Sequence, residues 1–192
     1  MQTFSKIIFV LFLTTLLTNI LFPESKDPVR AKNGIVVSAS DLASKVGIDI
    51  LKMGGNAIDA AVAVGFALAV TYPGAGNIGG GGFMVIQLKD GTNTTIDFRE
   101  KAPQSADEFL FQDSLGKFLP EKSQFGVTSS GVPGSVAGLI YALKKYGTLS
   151  LAEVIQPAID LARNGFILEY QLAKSIEYEI EYFNIGAGKN SG

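Results

Sequence analysis

Ala57–Val70 reads AIDAAVAVGFALAV, and the way this stretch must be buried decides the fold. Apart from Asp59 it is apolar all round. A helix with one apolar stripe lies on a core, whereas a helix apolar on every side lies inside one. The stretch is too short to cross a bilayer as a helix, which takes about 20 apolar residues. Its Ala and Gly side chains let neighbouring backbones approach closely. Asn56 precedes it and Asp59 follows three residues later, a pair resembling a capping box. A helix this buried needs other layers around it, which points to a larger parent fold.

Working outward, Asp41–Met53 carries apolar residues at Leu42, Val46, Ile50 and Met53, a helical spacing that Gly54-Gly55 ends. Gly34–Ser38 (GIVVS) reads as a short β-branched strand. Pro73–Gly82 (PGAGNIGGGG) is a glycine loop. Phe83–Leu88 and Thr94–Arg99 read as strands joined across Lys89-Asp90-Gly91, a hairpin signal. Glu100–Pro103 leads to a short amphipathic piece, Ala106–Phe111. Pro133 opens a helix over Gly134–Tyr146. Ser150 and Glu153 form a capping box for Leu151–Asn164, with Gly165 at its end and Pro157 expected to start or kink part of it. Leu168–Tyr182 reads as a charged amphipathic helix. The class is mixed α/β (α+β).

The 192 residues hold 16 Lys+Arg and 18 Asp+Glu, a net charge of −2, with no His, Cys or Trp. No Cys means no disulfide, no thiolate nucleophile and no lipoprotein anchor. No His means no Ser-His-Asp triad and no imidazole base. Near-neutral charge without a basic run argues against a nucleic-acid partner. No cofactor or metal is expected. At the N-terminus, Lys6 precedes the apolar run Ile7–Phe22, which marks residues 1–25 as a secretory signal, with an uncleaved membrane anchor as the alternative. Residues 26–32 follow as a polar linker, and 33–192 as the folded part. The expected location is exported, periplasmic or extracellular.

Two segments bear on chemistry. Gly74-Ala-Gly76-Asn-Ile-Gly79 is a literal GxGxxG, with Asp97 near the offset of a ribose-binding acid. A dinucleotide fingerprint follows a strand and opens a helix. Here a helix precedes the loop and a strand follows, so the reading is instead a backbone passing tightly against its neighbours. In Asp97–Pro103 (DFREKAP), alternation places Ile96 and Phe98 on one face and Asp97 and Arg99 on the other. Arg99 at a strand end offers a planar fork for a carboxylate ligand. The alternatives are a salt bridge to Asp97 or Glu100, or a plain surface arginine.

Leu42-Ala43-Ser44, Gly54–Ala63, Gly76–Met84, Phe98–Pro103 and Gly131–Gly134, in this order, resemble the N-terminal half of the large subunit of gamma-glutamyltransferase (gamma-glutamyl transpeptidase). The likeness runs from about Asn33 to about Gly165. Ser40-Asp41 departs from the His-Pro of many relatives. The resemblance implies an N-terminal-nucleophile hydrolase, an αββα sandwich of which this chain supplies part. It implies a precursor that cleaves itself. The new N-terminal Thr of the small subunit then attacks the gamma-glutamyl amide of glutathione or a related compound, with its own amine as base. It assigns Arg99 to the α-carboxylate of the gamma-glutamyl group. It assigns no catalytic residue to this chain: the cleavage signature is a Thr pair followed by His, and Thr94-Thr95 lies inside a strand. The expectation is therefore a partial chain, inactive alone and dependent on the C-terminal part as its partner. The competing readings are an exported non-catalytic domain that binds an amino-acid-like carboxylate through Arg99, and a related amide acylase of the same fold.

Overall fold

The computed structural model describes residues 27–190. The signal or anchor segment lies outside the described residues. Residues 27–33, most of the expected linker, are exposed and without regular structure. From Gly34 onward the chain forms one unit. Its elements are α1 (Asp41–Lys52), α2 (Ala57–Thr71), β1 (Phe83–Gln87), β2 (Asn93–Asp97), a short α3 (Pro120–Gln124), α4 (Ser135–Tyr146), α5 (Leu151–Asn164) and α6 (Tyr170–Asn190). Among the described residues no helix is long and apolar enough to cross a membrane.

The decisive helix is α2, and α1, α4 and α5 all pack on it. Ile58, Ala60, Val62, Ala63, Val64, Phe66 and Ala67 are buried along its length. They meet Ala43, Val46 and Ile50 of α1, Leu139, Ala142 and Leu143 of α4, and Val154 and Ala158 of α5. Gly47 of α1 allows this approach, because a Cβ there would lie 2.7 Å from a methyl of Val64. The hairpin adds a second layer. β1 and β2 are antiparallel, with Phe83 opposite Asp97 and Ile86 opposite Thr94. Met84, Ile86 and Ile96 face the helices, while Phe83, Val85 and Thr95 face away. The strands are joined across Lys89-Asp90-Gly91 as expected, in a three-residue loop closed by Leu88 N–H to the Thr92 carbonyl, with Gly91 at φ 85°.

Both capping boxes are formed. Asn56 Oδ1 accepts the N–H groups of Ile58 and Asp59, and Asp59 Oδ2 accepts the Asn56 N–H. Ser150 and Glu153 do the same for α5. Ser40 caps α1, accepting from Ala43 N–H, so the departure at Ser40-Asp41 still makes a sound helix start. α5 runs unbroken through Pro157.

Asp59 does more than cap. It is fully buried, and its carboxylate also accepts the N–H groups of Thr148 and Leu149 and the Thr148 hydroxyl. Asn56 Nδ2 donates to the Tyr146 carbonyl beside it. The start of α2 is thereby tied to the link between α4 and α5.

Besides Pro157, which starts no new helix, three sequence expectations change. Gly34–Ser38 is not a strand. Among the described residues only β1 and β2 form a ladder, and a strand exists only through its partner. Its alternation survives: Val36 turns inward beside Gly47, while Ile35 and Val37 stay exposed. Ala106–Phe111 is a run of turns. The Asp107 carboxylate takes the Phe109 N–H, a local bond that competes with helix. The last helix spans Tyr170–Asn190 rather than Leu168–Tyr182, and from Tyr170 to Ile180 only Leu172 is partly covered.

Burial works to raise the Asp59 pKa, yet the hydrogen bonds from Thr148, Asn56 and Leu149 outweigh it and hold the carboxyl below its usual range. A depressed carboxyl stabilises the fold fully above its unfolded value, about 3.9, and loses that contribution as pH falls through the folded value. Urea unfolding of the chain followed by circular dichroism should show stability falling as pH drops below about 4. Asp59→Ala strands three peptide N–H groups and one hydroxyl, and should cost roughly 2–4 kcal/mol at pH 7. An Asp59→Ala midpoint equal to wild type would contradict this account.

Candidate functional site

The glycine loop, the chain leaving β2 and the entry to α4 converge. Phe98 N–H donates to the Gly82 carbonyl at 3.0 Å, continuing the hairpin by one bond. Lys101 and Val132 exchange both backbone hydrogen bonds, at 3.2 and 2.8 Å. The N–H groups of Gly134 and Ser135, at the start of α4, both donate to the Gly80 carbonyl. Asn77 fastens the loop: its Oδ1 accepts the Gly80 N–H at 2.7 Å and the Ser135 hydroxyl at 2.8 Å.

The glycines are there for space. A Cβ on Gly81 would come within 2.6 Å of the Arg99 Cα. Cβ atoms on Gly134 and Gly138 would strike the Phe98 carbonyl and ring. No L side chain other than glycine's hydrogen fits such contacts. The order helix, loop, strand is the one read from the sequence. The α4 amides are occupied by Gly80, and Gly76 N–H returns to Tyr72, so the loop does not present them to a phosphate.

This packing fixes the root of Arg99. The Arg99 N–H donates to Asp97 Oδ1 at 3.0 Å, which shapes the exit from β2. The side chain is exposed, on the same outward face as Asp97. The guanidinium carbon lies 5.8 Å from the centroid of the Phe83 ring. Among the described residues it forms no ion pair, so the salt bridge to Asp97 or Glu100 is not made. Arg99 therefore presents a charged fork that no carboxylate of the described chain occupies. Thr94 and Thr95 sit inside the ladder, opposite Ile86 and Val85. Sequence reasoning missed Asn77, Ser135 and Phe83. A hairpin register counted outward from the three-residue loop Lys89-Asp90-Gly91 pairs Phe83 with Asp97 and could have found the last.

Residues 43–190 match the family model described as Gamma-glutamyltranspeptidase. The chain belongs to that family. It is 55% identical over 168 residues to a glutathione hydrolase proenzyme of Pseudomonas sp. (strain A14), covering 88% of this chain and 29% of that protein. It is 56% identical over 150 residues to the glutathione hydrolase proenzyme of Escherichia coli (strain K12), covering 78% of this chain and 26% of that one. Among solved structures, Helicobacter pylori gamma-glutamyltranspeptidase superposes with a TM-score of 0.77 at 50% identity, over 80% of this chain and 44% of that chain. The chain thus spans under a third of the length of these curated relatives. The fold is part of an N-terminal-nucleophile hydrolase, as expected.

In this member of the gamma-glutamyltranspeptidase family, the Phe98–Gly138 contact should set the position of Arg99. Gly138→Ala drives a methyl into the Phe98 ring and should cost about 1–3 kcal/mol. Ala137→Gly, on the exposed neighbouring position, should cost about 1 kcal/mol or less. The check is the urea midpoint of each variant. Equal losses would deny the close approach its importance.

Proposed function

We propose that this chain forms the wall of a glutathione hydrolase precursor that receives the α-carboxylate of gamma-glutamyl substrates, with Arg99 as its partner. The observation that carries this reading is the exposed Arg99 guanidinium, rooted in a rigid glycine junction and unpaired with any protein carboxylate among the described residues. At neutral pH the α-carboxylate is ionised and arginine is always charged, so a two-pronged, charge-assisted pair forms wherever the substrate is brought near. The relatives' name, glutathione hydrolase proenzyme, supports glutathione as the substrate class.

The reaction is acyl transfer from a gamma-glutamyl amide to water or an acceptor amine. The attacking Thr comes from the rest of the precursor, since Thr94-Thr95 is held in the hairpin ladder. This chain contributes binding and orientation, and alone it is inactive. The apolar run Ile7–Phe22 supports export.

The test is hydrolysis of a gamma-glutamyl anilide. The chain alone should release no chromophore. A proenzyme of the Pseudomonas relative carrying this chain in place of its matching segment should do so. Arg99→Ala in that chimera should weaken substrate binding by about 2–5 kcal/mol, seen as a KM raised roughly 30-fold or more. Turnover by the chain alone, or an unchanged KM in the variant, would overturn the proposal.

A further inference from the structure

Phe83 lies on the outward face of the hairpin with Val85, a face that this part of the sandwich leaves uncovered. What sets Phe83 apart on that face is its neighbour. The register sets it directly opposite Asp97 on the outward face. Two residues beyond Asp97 on that face is Arg99. The guanidinium carbon stands 5.8 Å from the ring centroid, within the range where a cation is drawn to an aromatic face.

The remaining contacts of Arg99 concern its backbone. Asp97 takes its N–H, and Gly81 packs on its Cα. Among the described residues the head of the side chain makes no ion pair, and the Phe83 ring lies beside it. An arginine side chain loses considerable rotamer freedom when it binds a ligand. A platform that holds the head in place beforehand reduces that loss. An aromatic ring does so without competing for the hydrogen-bonding edge, because the contact uses the planar face of the guanidinium and leaves its N–H fork free. A carboxylate in the same position would neutralise the charge and occupy the fork.

We infer that Phe83 is a positioning residue: its ring holds the Arg99 guanidinium ready for the substrate α-carboxylate. This rests on the reading of Arg99 given above and goes beyond it by naming what orients that side chain. In this role Phe83 acts through Arg99.

The inference is tested in the chimeric proenzyme with a gamma-glutamyl anilide. Phe83→Leu keeps apolar bulk and removes the ring. KM should rise roughly two- to fivefold, the size of an exposed cation–π contact, with kcat changed less than KM. Phe83→Tyr and Phe83→Trp keep a ring and should return KM to near the wild-type value. Arg99→Ala serves as the reference arm, and Phe83→Leu added to Arg99→Ala should raise KM no further. If Arg99→Ala raises KM strongly while Phe83→Leu leaves it unchanged, the platform is refuted and the role of Arg99 stands. If the Tyr and Trp variants are as impaired as the Leu variant, bulk or packing matters and the aromatic face does not, which also refutes it. If Arg99→Ala has no effect, the reading of Arg99 itself falls.

Discussion

A single buried carboxylate holds the arrangement of the helices. Asp59 begins as a local cap on α2 and ends as the acceptor for Thr148 and Leu149, 89 and 90 residues away. An ionised group is costly to bury unless its oxygens are hydrogen-bonded, and here both are. The link it fixes is the end of α4 and the start of α5. α4 in turn carries Gly138 against Phe98, and Phe98 is the residue before Arg99. The position of the exposed arginine therefore traces back, through one packed ring and one helix, to the buried Asp59 carboxylate.

Much of this was legible in the sequence because the relevant physics is local. Asn56/Asp59 and Ser150/Glu153 show their capping boxes within four residues. Asp90-Gly91 between two β-rich runs sets the hairpin. Alternation alone places Arg99 outward and Phe98 inward. The all-apolar α2 announces a buried helix before any partner is known. What stayed hidden was whatever depends on distant chain. Nothing near Asp59 tells that Thr148 will bind it. Gly34–Ser38 has the composition of a strand, but pairing belongs to the partner as much as to the segment. At Asp107 a side-chain acceptor for a nearby amide was enough to turn an amphipathic run into turns. The competition between cap-like and helical bonding is too evenly matched to be read from pattern alone.

The glycine loop shows how one motif can serve opposite ends. In a dinucleotide fold, closely spaced glycines expose amides to a phosphate. Here they remove side chains so that Gly81, Gly82, Gly134 and Gly138 can close around Phe98 and Arg99. The loop amides of Ala75 and Gly76 go to the Tyr72 carbonyl and that of Gly80 to Asn77 Oδ1, while the Gly80 carbonyl takes two amides of α4. The charge available to a ligand is then the guanidinium, and the loop supplies rigidity rather than recognition.

The double duty of Asp59 also bears on the order in which the chain can become native as it leaves the ribosome. Its bond to the Asn56 N–H closes within one helical turn and can form early. The bonds to Thr148 and Leu149 must wait until those residues have emerged, and closing so long a loop carries an entropic penalty that local contacts do not. Until then a carboxylate destined for the interior has only part of its hydrogen-bonding complement. During synthesis, α2 is thus a helix held short of full burial until the chain has passed Leu149 and reached Val154 and Ala158 of α5.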